Sequence, residues 1–399
     1  MGRLTQLKVL FASLYFVQGG AISYISLFQK PYLHQNQVDT QTIALLSSLL
    51  ILPFVLKILF GLLSDRIPFT KWGKRKPLMV LGLSLACLSF FLCSLFSPKD
   101  ALLAYSVCVI SASFFVAFFD AATDGLAIDC VEERDQGKIQ AAMVAGKALG
   151  VIVLSLSIGQ LVHMHGYPFV FSSIAIIFLL PLAMTFTIKE RPTDLLTETK
   201  VNYSKAPLLL LSLYGILYSV VSFGSDGLIT LYLVKTFQLK ENAIGNFGSL
   251  RGTGAIAGSL LCGLFYSQQR KAASLFLNFI GLLILALGVL CLSFLLNQSN
   301  FLPIALIWGA IWGFQEVCFL TLVMHYLKGT GSAFAFASLM AMANLGTALG
   351  EGVATSLTEY YSFSRVFLFL ALSTFLPATI LLILHQRQSR YNDESRDSL

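Results

Sequence analysis

Residues 102–129 read LLAYSVCVISASFFVAFFDAATDGLAID, an apolar stretch whose last ten residues contain three aspartates. As a helix, the apolar part from Leu102 to Phe119 would extend about 27 Å and cross most of a bilayer. Asp120 and Asp124 follow four residues apart, so a helix presents both carboxylates on one face. A carboxylate in hydrocarbon is costly, and acids at this depth face protein or a water-filled cavity. We therefore expect Asp120 and Asp124 to line a site where a solute or ion binds.

The composition of the whole chain is that of an integral membrane protein. Hydrophobic residues make up 56% of it and charged residues only 12%, against roughly 25% charged in soluble domains. Apolar runs of about 20 residues recur along the chain, which predicts helices and not the alternating pattern of a membrane barrel. The net charge of +7 resides in short loops between these runs, so no nucleic-acid partner is expected.

Twelve membrane spans are predicted, which puts both termini on one side of the bilayer. Nineteen Lys and Arg residues fall on the side of the termini and five on the other side, which makes the first side cytoplasmic by the positive-inside rule. The predicted spans are residues 8–33, 41–63, 77–97, 101–126, 139–162, 168–188, 207–234, 242–266, 273–296, 301–326, 332–357 and 364–386.

A long polar loop divides the spans into six and six. We predict an N-terminal bundle at 1–188, a cytoplasmic linker at 189–206, a C-terminal bundle at 207–386 and a disordered cytoplasmic tail at 387–399. The expected fold is therefore an all-α membrane protein with twelve transmembrane helices in two pseudo-symmetric six-helix bundles.

A weak internal repeat supports this division. Residues 141–150 resemble residues 337–346, which aligns Gly150 with Gly346. The same offset places Asp120 opposite Glu316. The repeat therefore pairs intramembrane acids of the two halves.

Four charged residues of the second half are further candidates for substrate or ion binding. Arg251 lies in the middle of a span, too far from either end to reach water, and needs an anion. Glu316, Asp226 or a carboxylate or phosphate of the substrate could supply it, since a guanidinium binds such groups in bidentate geometry. Glu316 and Glu351 are single acids in apolar spans, and either could exchange a proton during transport.

Two lysines of the first half receive different interpretations. Lys147 lies a few turns into the fifth span, and we predict that it pairs with Asp120 or Asp124 because buried charges are costly when unpaired. Lys57, near the inner end of the second span, is interpreted as a residue that extends its ammonium toward the membrane surface.

Two neutral amides and two histidines complete the candidates. Gln18 and Asn344 could bind substrate or join helices, since intramembrane amides do both. His163 and His165 share a short external loop without other ligand-type residues, so we predict no metal site. No cofactor is expected.

The loop after the second span carries a family resemblance. Gly61-Leu-Leu-Ser-Asp65-Arg66-Ile-Pro-Phe-Thr-Lys-Trp72-Gly73-Lys-Arg75-Lys-Pro77 resembles the cytoplasmic signature of the major facilitator superfamily, and with twelve helices the resemblance covers nearly the whole chain. The ending from Trp72 to Pro77 is similar to that of cation-coupled sugar symporters. In this interpretation Gly61 permits close helix approach, and Arg66 or Arg75 pairs with Asp65 or with Asp129 in one transport state only. We therefore predict a gating set, namely Gly61, Asp65, Arg66, Gly73, Arg75 and Asp129.

Two other stretches resemble a different branch of that superfamily. Tyr15-Phe-Val-Gln18-Gly19 and Asp120 to Asp129, followed by Glu133-Arg134, look like muropeptide permeases, acetyl-coenzyme A transporters and siderophore-uptake permeases. Many members of that branch have a proline shortly after the Gln-Gly pair, where this chain has Gly20-Ala21-Ile22.

The resemblance implies a secondary active transporter of a medium-sized polar or anionic solute of the muropeptide, siderophore or acyl-nucleotide type. We expect proton-coupled uptake by alternating access across a bacterial inner membrane, with the protein a monomer in the lipid bilayer; the alternative is a cation-coupled sugar symporter. The sequence contains no His-Glu-x-x-His, Gly-x-Ser-x-Gly or phosphate-binding loop motif, so neither an enzyme nor an ATP-driven pump is expected.

Overall fold

The computed structural model describes residues 3–66, 73–130, 133–187, 205–265, 271–327 and 333–397. A π-helical turn, Tyr24–Phe28, joins the first two helices into one span. The helices are α1 (Arg3–Ser23), α2 (Gln29–Gln35), α3 (Thr40–Val55), α4 (Lys57–Arg66), α5 (Lys76–Cys93), α6 (Pro98–Cys130), α7 (Glu133–His165), α8 (Tyr167–Thr187), α9 (Lys205–Phe237), α10 (Glu241–Phe265), α11 (Lys271–Leu295), α12 (Phe301–Leu327), α13 (Ala333–Leu357), α14 (Phe363–Ser373) and α15 (Phe375–Asp397).

These helices form the twelve predicted spans, because α3 with α4 and α14 with α15 each make one broken span. Ten segments of the described residues are long and apolar enough to cross a membrane. The other two spans, α10 and α13, have 25 residues each, but glycines, serines and the charged residues Arg251 and Glu351 make them less apolar. The predicted disordered tail is wrong in the described residues, since α15 continues to Asp397.

The second span breaks at a proline. Pro53 lies inside α3, where its ring clashes with the preceding turn and its nitrogen donates no hydrogen bond. Helix α3 ends two residues later, and α4 begins at Lys57. Because of this break, the side chain of Lys57 points in a different direction from the one it would have in a continuous helix.

A side-chain cap starts α3. Asp39 accepts a hydrogen bond from the backbone N–H of Thr42 at 2.9 Å. The hydrogen bonds from Thr42 hold the pKa of the Asp39 carboxyl below its usual value, because they stabilise the ionised form. An aspartate at this position satisfies one of the unpaired N–H groups of the first turn.

Glycines allow the backbones of two pairs of helices to come into direct contact. On α7, a Cβ at Gly146 or Gly150 would overlap the carbonyl oxygens of Ala12 or Phe16 on α1. On α13, a Cβ at Gly346 or Gly350 would overlap the carbonyl oxygens of Ile216 or Val220 on α9. The first and fifth spans of each half therefore pack by the same small-residue contact.

These contacts correct the alignment of the internal repeat in the fifth span. The packing makes Gly150 equivalent to Gly350, one helical turn beyond the predicted Gly346. In the fourth span of each half, Gly82 faces Phe119 and Gly281 faces Gln315, and the register predicted there stays a prediction. The residues that follow are Asp120 and Glu316, the two acids that the repeat had paired.

The chain divides into two compact units. The first contains Met1–Glu198 and Thr230–Gly252, and the second contains Thr199–Ile229 and Thr253–Leu399. The end of α9 and the start of α10 thus belong to the first unit. The predicted linker at 189–206 lies almost wholly outside the described residues, and its role as a boundary stays a prediction.

Candidate functional site

A cluster of four ionisable side chains lies inside the first unit. The Lys57 ammonium donates to Oδ2 of Asp120 and to Oδ2 of Asp124, each at 2.6 Å. The Tyr15 hydroxyl donates to Oδ1 of Asp124. We call these four residues, from α1, α4 and α6, the lysine–aspartate cluster.

The helices place these side chains for simple reasons. Asp120 and Asp124 are one turn apart on α6 and project from the same face. Lys57 is the first residue of α4, directly after the break that Pro53 causes. One ammonium can therefore contact both carboxylates.

The side chains of the cluster differ in their exposure to solvent. The Asp120 side chain is 5% exposed, whereas those of Lys57 and Asp124 are 30% and 38% exposed. In the described residues, Oδ1 of Asp120 is buried and accepts no hydrogen bond. One cation between two ionised carboxylates leaves a net charge of −1, with the least solvated oxygen on Asp120.

The predicted partner of the aspartates was wrong. Lys57, which the sequence suggested would extend toward the membrane surface, is the residue that pairs with both. Lys147 is exposed on α7. A lysine four residues after an intramembrane proline was the sequence signal that could have identified Lys57.

Gln18 lies on α1, one turn beyond Tyr15. Its side chain is buried, and its Oε1 has no hydrogen-bond donor among the described residues. A buried amide oxygen without a hydrogen-bond donor is uncommon and calls for an explanation such as a bound water or a ligand. Its predicted binding role stays a prediction.

The second unit contains a related pair. The Tyr218 hydroxyl on α9 donates to Oε2 of Glu316 on α12 at 2.6 Å. In the first unit, Tyr15 on α1 donates to Asp124 on α6. Each unit therefore joins a tyrosine of its first span to an acid of its fourth span.

Asp226 has a partner that the sequence did not suggest. The indole N–H of Trp308 on α12 donates to Oδ1 of Asp226 on α9 at 2.8 Å. Trp308 and Asp226 are both buried. A tryptophan within an apolar span was the available signal, because a buried indole N–H needs an acceptor.

The remaining candidates lie at different places in the fold. Arg251 is buried in α10, within the first unit, and Asn344 is half-buried in α13. Glu351 is buried on α13. Its carboxyl group occupies the position that a Cβ atom would take at residue 227, which is a glycine. Gly227 on α9 is therefore required for Glu351 to approach.

The signature loop is described only in part. Arg75 is buried, and its guanidinium lies against α6 at Gly125, where a Cβ would come within 2.7 Å of Cζ. Gly73 has a φ of 104°, a conformation that favours glycine. No described residue comes within 4 Å of the Cβ position of Gly61, and the close helix approach predicted there stays a prediction. The side chains of three predicted gating residues lie outside the described residues, namely Asp65, Arg66 and Asp129.

Among the described residues, no three His, Cys, Asp or Glu side chains lie close enough together to hold a metal ion. Four acids inside the spans are instead joined to lysine, tyrosine or tryptophan, namely Asp120, Asp124, Asp226 and Glu316. Such groups can bind polar solutes and exchange protons.

Twelve spans in two repeated bundles, with acids joined to donors at membrane depth, define a membrane transporter and not an enzyme. The profile of the Major Facilitator Superfamily matches residues 11–341, and the chain belongs to this family. Transporters of this family bind small-molecule substrates, and this chain is a multi-pass integral membrane protein.

Two rickettsial proteins are similar in sequence, and both carry the name "Putative transporter AmpG 4". The protein of Rickettsia conorii is 30% identical over 156 residues, which are 38% of this chain and 37% of the relative. The protein of Rickettsia felis is 28% identical over 209 residues, 50% of this chain and 48% of the relative. The matched stretches thus span less than half of each relative.

Solved structures show the same fold at low identity. The nucleoside transporter NupG superposes with a TM-score of 0.71 at 15% identity, over 96% of this chain and 99% of that one. A bacterial homologue of the human lysosomal transporter Spinster, inward-facing and occupied, gives 0.70 at 12% identity, over 96% of each chain. The human organic anion transporter MFSD10 gives 0.67 at 14%, over 96% of this chain and 100% of that one.

Proposed function

We propose that this protein is a proton-coupled uptake transporter for a medium-sized polar solute of the muropeptide type, with the lysine–aspartate cluster as its coupling centre. The observation that carries the proposal is the charge of that cluster. Lys57 balances one of the two carboxylates that it contacts, and the other carboxylate leaves an excess charge of −1.

Binding of one proton would neutralise this excess. An unbalanced charge is costly where water is excluded. The protonated, neutral cluster is therefore favoured in a state that excludes water, and the deprotonated, charged cluster is favoured in a state that admits water. A transporter that alternates between access to the two sides of the membrane can use that difference, because a ligand shifts an equilibrium by its differential affinity for the two states. Asp120 is the acceptor that we assign, since its Oδ1 is buried and accepts no hydrogen bond from the described residues.

The position of Lys57 favours protons over a metal cation. An ammonium 2.6 Å from each Oδ2 occupies the place between the carboxylates that a coupling cation would need. A sodium ion would have to displace this tethered charge, whereas a proton adds to a carboxylate without doing so. The alternative of a cation-coupled sugar symporter is therefore less well supported.

The substrate class rests on resemblance. The stretches at 15–19 and 120–129 look like those of muropeptide permeases, and the two sequence relatives carry the name AmpG. Siderophores and acyl-nucleotides are the other classes that the same resemblance implies. We place the protein in a bacterial cytoplasmic membrane, as a monomer with both termini in the cytoplasm, which is the orientation that the lysines and arginines favour.

Transport into proteoliposomes tests this function. Purified protein is reconstituted, and accumulation of a labelled muropeptide is measured with an inward proton gradient, with an inward sodium gradient, and with a protonophore. We expect accumulation with the proton gradient alone, and its loss with the protonophore. Accumulation that follows the sodium gradient would contradict proton coupling, and failure to exchange muropeptide across the membrane would contradict the substrate class.

A further inference from the structure

Lys147 is an exposed lysine on α7 that lies deep in a membrane-spanning segment. The segment runs from Lys138 to His165, so Lys147 lies about 14 Å from its start at 1.5 Å per residue. The four-carbon stem of a lysine is too short to carry the ammonium over that depth to the membrane surface. Because an ammonium is costly in hydrocarbon, a lysine at this depth faces protein or water.

Helix α7 has two stripes of exposed side chains. The longer stripe follows the helix for about four turns and consists of Ala145, Leu149, Val153, Leu156 and Gln160. At 3.6 residues per turn, Lys147 lies about 120° to 180° around the helix axis from each of these residues. The longer stripe is mostly apolar, as a lipid-facing side is. Lys147 therefore projects from the other side of α7.

The shorter stripe leads from the start of the span to Lys147. Gln140, Val144 and Lys147 are exposed, and at 3.6 residues per turn they lie within about 60° of one another. Farther along the same side of α7, Leu154 and Ile158 are buried. The shorter stripe is therefore the lining expected of an opening that begins at the start of α7 and ends at Lys147.

Lys147 lies at the level of the lysine–aspartate cluster. A Cβ at Gly19 of α1 would come within 2.5 Å of the backbone oxygen of Lys147. Tyr15, one turn before Gly19, donates to Asp124 of the cluster. Within the described ranges the Lys147 ammonium takes part in no ion pair, since both aspartates of the cluster are paired with Lys57. The protein thus presents a second cation beside the cluster.

We propose that Lys147 binds a carboxylate of the transported solute. An ammonium that faces an opening at membrane depth, without an ion pair in the described part of the chain, is a site for an anion. The peptide part of a muropeptide supplies such an anion, because a peptide ends in a carboxylate. The inference rests on the proposed function, since it assumes a solute of that type.

The charges of the two sites fit a solute that is bound together with a proton. The cluster has an excess charge of −1, and Lys147 has a charge of +1. A proton on the cluster and a carboxylate on Lys147 leave both sites neutral. Because unbalanced charges are costly where water is excluded, the protein that has bound both is the form suited to close around its solute.

Binding of two matched probes tests the site without transport. N-acetylmuramyl-L-alanine ends in a carboxylate, and its carboxamide is neutral and otherwise the same. The full-length protein in detergent is titrated with each compound by calorimetry. We expect wild-type protein to bind the acid about tenfold more tightly than the amide, since the amide loses a charged hydrogen bond. Equal affinities, or no binding of either compound, would overturn the inference.

Substitutions then assign the preference for the acid to Lys147. Lys147→Met should weaken binding of the acid about tenfold and leave binding of the amide unchanged, whereas Lys147→Arg keeps the charge and should keep the preference. The matched control is Lys138→Met, an exposed lysine nine residues earlier on α7, which should behave as wild type. Melting temperatures show that each variant is folded. An unchanged preference in Lys147→Met would overturn the inference.

A phosphate is the other anion that an ammonium binds. Adenosine diphosphate is therefore titrated into wild-type protein and into Lys147→Met in the same way. We expect it to bind more weakly than the acid. Tighter binding of adenosine diphosphate that is lost in Lys147→Met would assign the site to phosphate and overturn the choice of a carboxylate.

The two proposals can fail separately. If the acid is preferred through Lys147 but wild-type protein does not accumulate muropeptide in a proton gradient, the carboxylate site stands and the proposed function fails. If wild-type protein accumulates muropeptide but binds the acid and the amide equally, the proposed function stands and the carboxylate site fails.

Discussion

The ammonium of Lys57, the first residue of α4, lies 2.6 Å from Oδ2 of Asp120 on α6. The same ammonium is shared with Asp124, so neither aspartate has a cation to itself. Because Asp120 is the more buried of the two, a change in its protonation alters the charge that is least accessible to water. This arrangement leads to the first two predictions.

Asp120→Asn should abolish proton-driven accumulation while leaving exchange of solute across the membrane intact. The asparagine is fixed in a neutral form, so the cluster neither gains nor loses a proton and the alternation is no longer linked to the gradient. Uptake and counterflow in the same proteoliposomes measure the two activities. The matched control is Asp100→Asn, an exposed acid at the start of α6, which should behave as wild type. Normal accumulation by Asp120→Asn would exclude Asp120 as the coupling acid.

Lys57→Met should lower both stability and transport, whereas Lys147→Met should change stability little. Removal of Lys57 leaves two carboxylates close together without their cation, which costs a few kcal/mol when they are buried, and less here because Asp124 is partly exposed. Thermal unfolding in detergent measures the effect. A second substitution, Asp124→Asn, removes one of the two charges and should restore part of the lost stability. If Lys147→Met proved the more damaging variant, the assignment of the pair would be wrong.

Gly150→Ala should lower the stability of the protein, whereas Gly263→Ala should not. A methyl group at position 150 overlaps the carbonyl oxygen of Phe16, while no described residue lies within 4 Å of a Cβ at position 263. We expect a loss of about 1–3 kcal/mol from overpacking in the first variant, and no loss or a gain of up to about 1 kcal/mol from helix propensity in the second. The melting temperatures of the two purified variants make the comparison. Equal melting temperatures would show that α1 and α7 do not pack through this glycine.

Glu316→Gln should reduce accumulation at least about tenfold without unfolding the protein, if Glu316 takes part in binding or proton exchange. The amide oxygen of glutamine can still accept the hydrogen bond of Tyr218, so the packing of α9 and α12 is kept. Glu359→Gln, at an exposed position after α13, is the control. Uptake assays with matched protein amounts test this, and wild-type uptake by Glu316→Gln would remove Glu316 from the transport pathway.

Asp39→Ala should destabilise the protein in a manner that depends on pH. The folded state lowers the pKa of Asp39 through the hydrogen bonds from Thr42, so the ionised carboxylate stabilises the fold above the ordinary aspartate pKa of about 4, and this contribution is lost as the pH falls below it. At pH 7 the loss should be about 1 kcal/mol, as for other helix caps. Asp39→Asn keeps a capping oxygen and should show a smaller loss without the pH dependence. Unfolding measured from pH 7 down to pH 3 would reveal a pH-independent difference if the carboxylate charge had no part in the cap.

Much of the fold was predictable because hydropathy is a local property of the chain. Each of the signals used can be recognised within a short stretch of sequence. They are the runs of about 20 apolar residues, the distribution of lysines and arginines, and the motifs at 15–19, 61–77 and 120–129. They indicated twelve helical spans and a resemblance to the superfamily, which the profile match confirms. The acids at membrane depth were visible in the same way, since an aspartate within an apolar run has few structural explanations.

The partners of those acids depended on tertiary structure. The sequence could not give the rotation of α4 after Pro53, so it assigned Lys147 and not Lys57 to the aspartates. It placed the repeat one turn away from the glycine packing that relates Gly150 to Gly350, and it gave no register for α9 against α12. Which side chains meet is decided by the rotation, kink and close approach of helices far apart in sequence, and no pattern within a single span contains that information.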